Sequence, residues 1–417
     1  MKQIYAALQI SEEEVRLLVG EYFNTRFNII KLEKVPCKGV TNFRISDRDE
    51  VKRAVKEACE NASRMIGARI EQVILILPSL KVKRYPLKVN METRSGYLTK
   101  EDAGDAISEA LRSSVDRELI IINAVPIRYT VNGISSRRLP EKEVCSTFSV
   151  DVDLLCGEKE AAYDYVEMVY ECGLKVMDIC LDSYATGKEA ALFEQTLNQN
   201  MILIDAGKSV TTLSLLSKGK LVSCEALKEG LGKTFAAAAE KYGIPLSSSE
   251  RLAKYNCSYG KEYSQDAIFA WNNTRENLTL NEGELSACVR PALEEYIGKL
   301  VTTCQPILDS GPASITVVGD GAEMDAFCRL LEEKSTVAVR AYFPETIGVR
   351  DSNLTALYGS FFVYRDMNEI RGNEKSSIDL YELENVISRK TDDAEAETLT
   401  SKIRSLFEMS RKKEEEE

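Results

Sequence analysis

The chain has 417 residues, a net charge of −12 and a pI near 5.0, with 44% of its residues hydrophobic and 29% charged. That length suits two lobes or about three to four subdomains, and the acidic balance removes the broad cationic face that nucleic acid requires. Histidine is absent altogether, which excludes imidazole bases, Ser-His and Cys-His nucleophile pairs and His-containing metal sites.

Any chemistry must therefore rest on carboxylates, lysines or backbone dipoles. The eleven cysteines never fall as C-x-x-C and mostly lie in apolar patterns, as Cys180 does in VMDICLD, so they read as buried free thiols. The opening MKQIYAALQI turns acidic too quickly for a signal peptide and no run reaches transmembrane length, so a reduced, cytosolic compartment is expected.

The first elements are two hairpin strands, Gln3 to Ile10 and Val15 to Glu21, joined through Ser11-Glu12-Glu13-Glu14, with a third strand near Ile29 to Val35. Val51, Val55, Ala58, Ala62 and Ile66 recur at helical spacing behind a Ser46/Asp47 cap. VILILPS, 73 to 79, has the near-continuous apolar character of a strand covered on both faces. Residues 82 to 155 change in texture: short strand-like pieces surround a helix from Lys100 to Arg112, with a polar turn at 133 to 138. This stretch reads as an inserted small α+β subdomain. Glu158 to Cys172 is a helix, LKVMDICLD a strand, and Ser183 to Leu197 a helix.

The second half begins as the first did, with strands at 201 to 205, 211 to 216 and 221 to 225. Helices follow at Thr234 to Tyr242 and Leu246 to Tyr255. The polar stretch 256 to 281, which holds the only tryptophan, Trp271, reads as loop, and Asn281 to Leu308 as a long helix. SITVVGDGAEMDAF, 314 to 327, is a buried strand, a Gly turn and a helix start. The acidic, Pro-free residues 366 to 397 read as a linker.

The stretch MILIDAGKSVTTLS, 201 to 214, concentrates the candidate chemistry. An apolar strand running into Asp-x-Gly suits a phosphate-cradling hairpin, because the acid can hold a metal through water and Gly lets backbone approach oxygens. Asp205 followed by Gly207 fits a plain strand-turn equally well, and Glu12 to Glu14 fit a solvated turn.

Two hairpins with acid-and-Gly turns, a strand-GxG-helix near residue 320 and an insertion after the first strand-helix unit together resemble the actin/Hsp70/sugar-kinase superfamily. Within it the placement of the insertion resembles FtsA, the bacterial cell-division actin. ALQISEEEVRLLVGEY at 7 to 22, YECGLKVMDI at 170 to 179 and IGVRDSNLTALYGSFFVY at 347 to 364 support this. The resemblance implies a two-lobed, actin-like (ribonuclease H-like) α/β fold. Lobe I would take 1–81 and 156–200 with 82–155 inserted, and lobe II 201–236 and 300–365 with 237–299 as an accessory subdomain.

The same resemblance places ATP and Mg between the lobes, held by Asp205, Gly207, Lys208, Gly230, Glu250, Lys254, Gly319 and Gly321. Where the family carries acids, glycines or small hydroxyls, this chain has Gln9, Glu12, Glu13, Glu14, Lys208, Ser209, Val210, Thr212, Ala236 and Asp320. Carboxylates beside a triphosphate repel it by several kcal/mol unless a metal intervenes. The expectation is a pseudo-ATPase with no catalytic residues, weak binding through Lys208 remaining open.

FtsA-type proteins end in an amphipathic membrane helix. Here TLTSKIRSLFEMSRKK, 398 to 413, sets Leu399, Ile403, Leu406 and Phe407 within about a 100° stripe, with Lys402 and Arg411 among cationic flanks. The four glutamates at 414 to 417 oppose anionic lipid, and a short partner-docking helix or a frayed solvated end is the other reading. The implied partners are a tubulin-like filament protein (FtsZ), further copies of the chain and the inner membrane surface, with no nucleic acid. A PilM-like envelope adaptor and a weakly active ATPase are the alternatives.

Overall fold

The computed structural model describes residues 3–23, 26–260, 263–272, 277–345, 350–372 and 375–379. Strands β1 (Gln3–Ile10), β2 (Glu14–Phe23) and β3 (Arg26–Pro36) form an antiparallel meander, followed by the two-residue β4 (Val40–Thr41) and β5 (Arg44–Ile45). Helix α1 (Arg48–Ile66) starts where the Asp47 carboxylate accepts the Glu50 N–H and stops at left-handed Gly67. β6 (Gln72–Leu77) then runs parallel to β1.

The insertion comprises β7 (Lys83–Glu92), α2 (Lys100–Ala110), β8 (Leu119–Val131), β9 (Ile134–Ser136) and β10 (Thr147–Glu158), with α2 opened by a Thr99/Asp102 capping box. It builds its own core around Leu98, Ile107, Tyr129, Phe148 and Val150. Where a turn was expected at 133 to 138, the turn is Asn132-Gly133, both at positive φ, and 134–136 pairs back onto β8.

α3 (Lys159–Glu171) and β11 (Lys175–Leu181) complete the first sheet, whose order is β11-β6-β1-β2-β3. The helix expected over 183 to 197 is broken into α4 (Asp182–Glu189) and α5 (Leu192–Gln195). Ala191 takes φ 51°, which folds Phe193 back onto Gly187 and Tyr184.

The second half has β12 (Asn200–Ala206), β13 (Thr211–Ser217), β14 (Lys220–Leu227), α6 (Gly232–Tyr242), α7 (Leu246–Asn256), β15 (Ala267–Asn272), β16 (Asn277–Asn281) and α8 (Glu282–Leu308). β17 (Ala313–Val318), a 3-10 turn at Gly319–Glu323, α9 (Asp325–Ser335), β18 (Val339–Ala341) and α10 (Thr355–Arg371) finish it. The order β18-β17-β12-β13-β14 repeats that of the first sheet, with a hairpin meander and two parallel strands in each. One residue pair, Ser223 with Lys83, joins this sheet to the insertion. The architecture is the two-lobed actin-like α/β fold.

Three expectations fail on packing. Residues 256–281 are not all loop: β15 and β16 form a hairpin whose Trp271 stacks on Phe269 and meets Tyr242 edge-on, while Leu280 enters the lobe II core. One-sided burial leaves the hairpin's other face polar, which disguised it. Residues 355–365 do not join lobe II, because α10 lies on the first sheet with Leu357, Tyr358 and Phe361 against Tyr5, Ala7, Ile74 and Ile76. The start of the presumed linker is structured too: the helix runs to Arg371, and Ser377 and Ile378 are buried.

Candidate functional site at the inter-lobe cleft

The repeated hairpins point their turns at one cleft, floored by the carboxyl ends of β6, β11, β12 and β17, where open α/β sheets place ligands. All eight candidate residues gather on or immediately behind it. Asp205 ends β12, and Gly207 and Lys208 form the β12–β13 turn. Glu250 and Lys254 project from α7, and Gly319 and Gly321 shape the turn after β17. Gly230 sits behind the Lys208 turn, where a Cβ would collide with the Gly207 carbonyl oxygen. Ala236 is on α6, outside the residues that line the cleft.

The polar groups are largely spent on one another. Lys208 Nζ donates to Glu250 at 2.8 Å, and Lys254 Nζ reaches Glu250 and Asp320, each at 2.9 Å. Asn353 Nδ2 donates to Asp320 at 3.2 Å, and its carbonyl accepts from Arg16 at 3.0 Å. Ser209 Oγ donates to Glu13 at 2.5 Å, which ties the first hairpin turn to the second. Of the three consecutive glutamates only Glu13 crosses the cleft. Glu12 accepts the Phe43 N–H at 2.6 Å and Glu14 pairs with Arg16 at 2.7 Å.

Several backbone donors are committed as well. Gly207 N–H bonds Val210 O across its own turn, and the Leu231 and Gly232 N–H groups at the start of α6 donate to the Gly207 and Lys208 carbonyls at 3.0 and 2.7 Å. A helix start is a natural anion site when its N–H groups are free. Here loop carbonyls take the first two of them. Gly319 N–H is taken by Ser352 Oγ at 3.0 Å.

Burial shapes the acids that remain. It pushes the Asp205 carboxyl up to about 7, with Asp182 and Asp320 adding repulsion and Arg16 partly offsetting it. Burial also raises Asp182, against hydrogen bonds from Ser79 and Ser183 that favour its charge. Burial opposes ionisation of Glu250 too, but Lys208 and Lys254 outweigh it and hold that carboxyl below its usual range.

A polyphosphate needs uncommitted N–H groups and cations at the two turns. Both lysines are paired with carboxylates, the Leu231 and Gly232 N–H groups at the α6 start are taken by loop carbonyls, and Asp182, Asp205 and Asp320 line the cleft. No group of three or more metal-ligating side chains occurs among the described residues.

Sequence reasoning missed Arg16, Asp182 and Asn353. Arg16 is the cross-strand partner of Gln9, so hairpin register could have found it. Asp182 directly follows a parallel strand, a recognisable position. Asn353 had no local signal, since it reaches the cleft only through tertiary packing.

No protein-family model matches the chain. It is 26% identical over 357 residues to the cell division protein FtsA of Bacillus subtilis, covering 84% of this chain and 80% of that protein. The cell division protein FtsA of Enterococcus hirae is 24% identical over 359 residues, covering 84% and 81%. Among solved structures, a PilM-PilN type IV pilus biogenesis complex aligns with TM-score 0.56 and 16% identity, covering 86% of this chain and 98% of that one. MreB5 of Spiroplasma citri bound to ADP aligns with TM-score 0.52 and 13% identity, covering 89% and 99%. The chain is thus similar to FtsA proteins along more than four fifths of its length, and its architecture is the actin-like fold.

Proposed function

We propose that the chain is a cell-division scaffold that links a tubulin-like filament (FtsZ) to the inner membrane surface, associates with its own copies and does not turn over ATP. Similarity to FtsA proteins supports the scaffold role. The observation that carries the nucleotide-free reading is the Lys208-Glu250-Lys254-Asp320 chain, which spends on carboxylates the cations a phosphate would need. Two lobes that bridge through Glu13–Ser209 have a closing contact that requires no nucleotide.

The membrane contact is assigned to Leu399, Ile403, Leu406 and Phe407 with Lys402 and Arg411, all outside the described residues. Among the described residues no helix is long and apolar enough to cross a membrane.

Flotation of the full chain with anionic vesicles, alone and with a tubulin-like filament protein, tests the tether. Co-flotation that is lost in Leu406→Glu/Phe407→Glu supports it, and filament binding without vesicle binding defeats it. Calorimetry with ATP and Mg tests the cleft, where tight binding with turnover would sink the nucleotide-free reading. The likeness to a PilM-PilN complex favours an adaptor as second reading. Deleting 398–417 separates the two, since an adaptor keeps its cellular position and a tether becomes diffuse.

A further inference from the structure

After α10 the chain returns to the first sheet and is clipped there. Ser377 N–H donates to Ile4 O and its Oγ accepts the Ala6 N–H, both at 2.8 Å. Its carbonyl accepts from the Glu71 N–H at 3.0 Å. Ile378 then pairs antiparallel with Ile70 and is 4% exposed. An antiparallel pair sets the direction of the chain at this point, heading toward the C-terminal end of α1.

A cavity of about 480 Å³ lies on that path, between α1 and the end of α3. Its floor is apolar, from Ile70, Leu174, Cys59 and Cys172, and its rim carries Lys56, Arg64 and Arg69 against a single acid, Glu60. Neither Lys56 nor Arg64 has an ion pair among the described residues. The sequence that follows Ile378 is Asp379-Leu380-Tyr381-Glu382-Leu383-Glu384. It brings apolar side chains at 380, 381 and 383 for the floor and carboxylates at 379, 382 and 384 for the rim.

We propose that this cavity is the seat of the chain's own segment 380–387. Charge and apolar content match, and the Ile70–Ile378 pair delivers the segment to the cavity mouth, which keeps the cost of closing the loop small. Seating it moves the point where the tether becomes free from Ile378 to the α1–α3 groove and shortens the reach of residues 398–413. The docking holds whether or not that terminal segment touches a membrane, so its failure and failure of the tether are separate results.

Half-buried Cys172 reports on the seat. In the full chain, maleimide labelling of Cys172 followed by mass spectrometry should be about tenfold faster in Leu380→Ser/Tyr381→Ser/Leu383→Ser than in the native protein, as for a segment docked about nine-tenths of the time. Arg64→Glu should speed labelling likewise, and adding Glu382→Arg and Glu384→Arg should restore protection. An unchanged main thermal transition confirms that the variants are folded. Equal labelling in native and variant proteins overturns the proposal. So does protection that grows with protein concentration, which would assign the cavity to a second copy.

Discussion

Replacing Asp205 with asparagine tests the electrostatics of the cleft most directly. The carboxyl ordinarily titrates at 3.8 and is held near 7 in the fold, because burial penalises its charge and Asp182 and Asp320 repel it more than Arg16 compensates. An acid whose folded pKa is raised destabilises the protein when ionised, since the unfolded chain gives up the proton first. The penalty is therefore absent below about pH 4, grows between about pH 4 and 7, and is constant above.

Were the whole displacement expressed, it would cost about 4 kcal/mol near pH 8. Partial access of Asp205 to solvent and its coupling to Asp182 bring the expectation down to roughly 1–3 kcal/mol. Asparagine keeps the shape and removes the charge, and Asp205 makes no ion pair among the described residues that would be lost. Urea unfolding followed by circular dichroism should find Asp205→Asn more stable than the native chain by that amount near pH 8, and within about 0.5 kcal/mol near pH 4. Glu189, also held near 7 by burial, is common to both proteins and cancels in the difference. A gap independent of pH, or a variant less stable near pH 8, would refute the reasoning.

Lys254→Ala should cost more than Lys208→Ala, about 2–3 against about 1 kcal/mol, because the first leaves Asp320 without its cation and Glu250 with one, while the second leaves Glu250 still paired to Lys254. A double-mutant cycle in urea measures the coupling. Gly359→Ala should prevent or cripple folding, since its Cβ would collide with the Ala185 carbonyl oxygen where α10 crosses α4. Soluble yield and far-ultraviolet circular dichroism read this directly. Ser377→Ala should destabilise by about 1–3 kcal/mol by stranding the buried Ala6 N–H, with hydrogen exchange of Ala6 as the specific readout.

Much of lobe I was legible because its signals are local. The Asp47 cap, the periodic apolar face of α1 and the unbroken apolar run of β6 each report a geometry that neighbours in sequence suffice to specify. The β15–β16 hairpin was illegible for the opposite reason: its polar, one-sided pattern becomes a strand pattern only once Tyr242 and the lobe II core supply the buried face. The break after α4 likewise depends on Phe193 finding Gly187 and Tyr184, a contact no helical-propensity argument contains.

The cleft divides along the same line. By itself the sequence determined that there would be two lobes opened by hairpins, no imidazole chemistry and too many carboxylates near the turns, because composition and short-range pattern carry those facts. Only the tertiary structure decided what the carboxylates do. Glu12 takes the Phe43 N–H and Glu14 pairs with Arg16, Glu13 takes Ser209, and Glu250 and Asp320 absorb the two lysines. Side-chain direction and pairing across a cleft depend on residues far apart in the chain, and the energy of a charge depends on how much water its partners exclude. Neither quantity exists until the lobes meet.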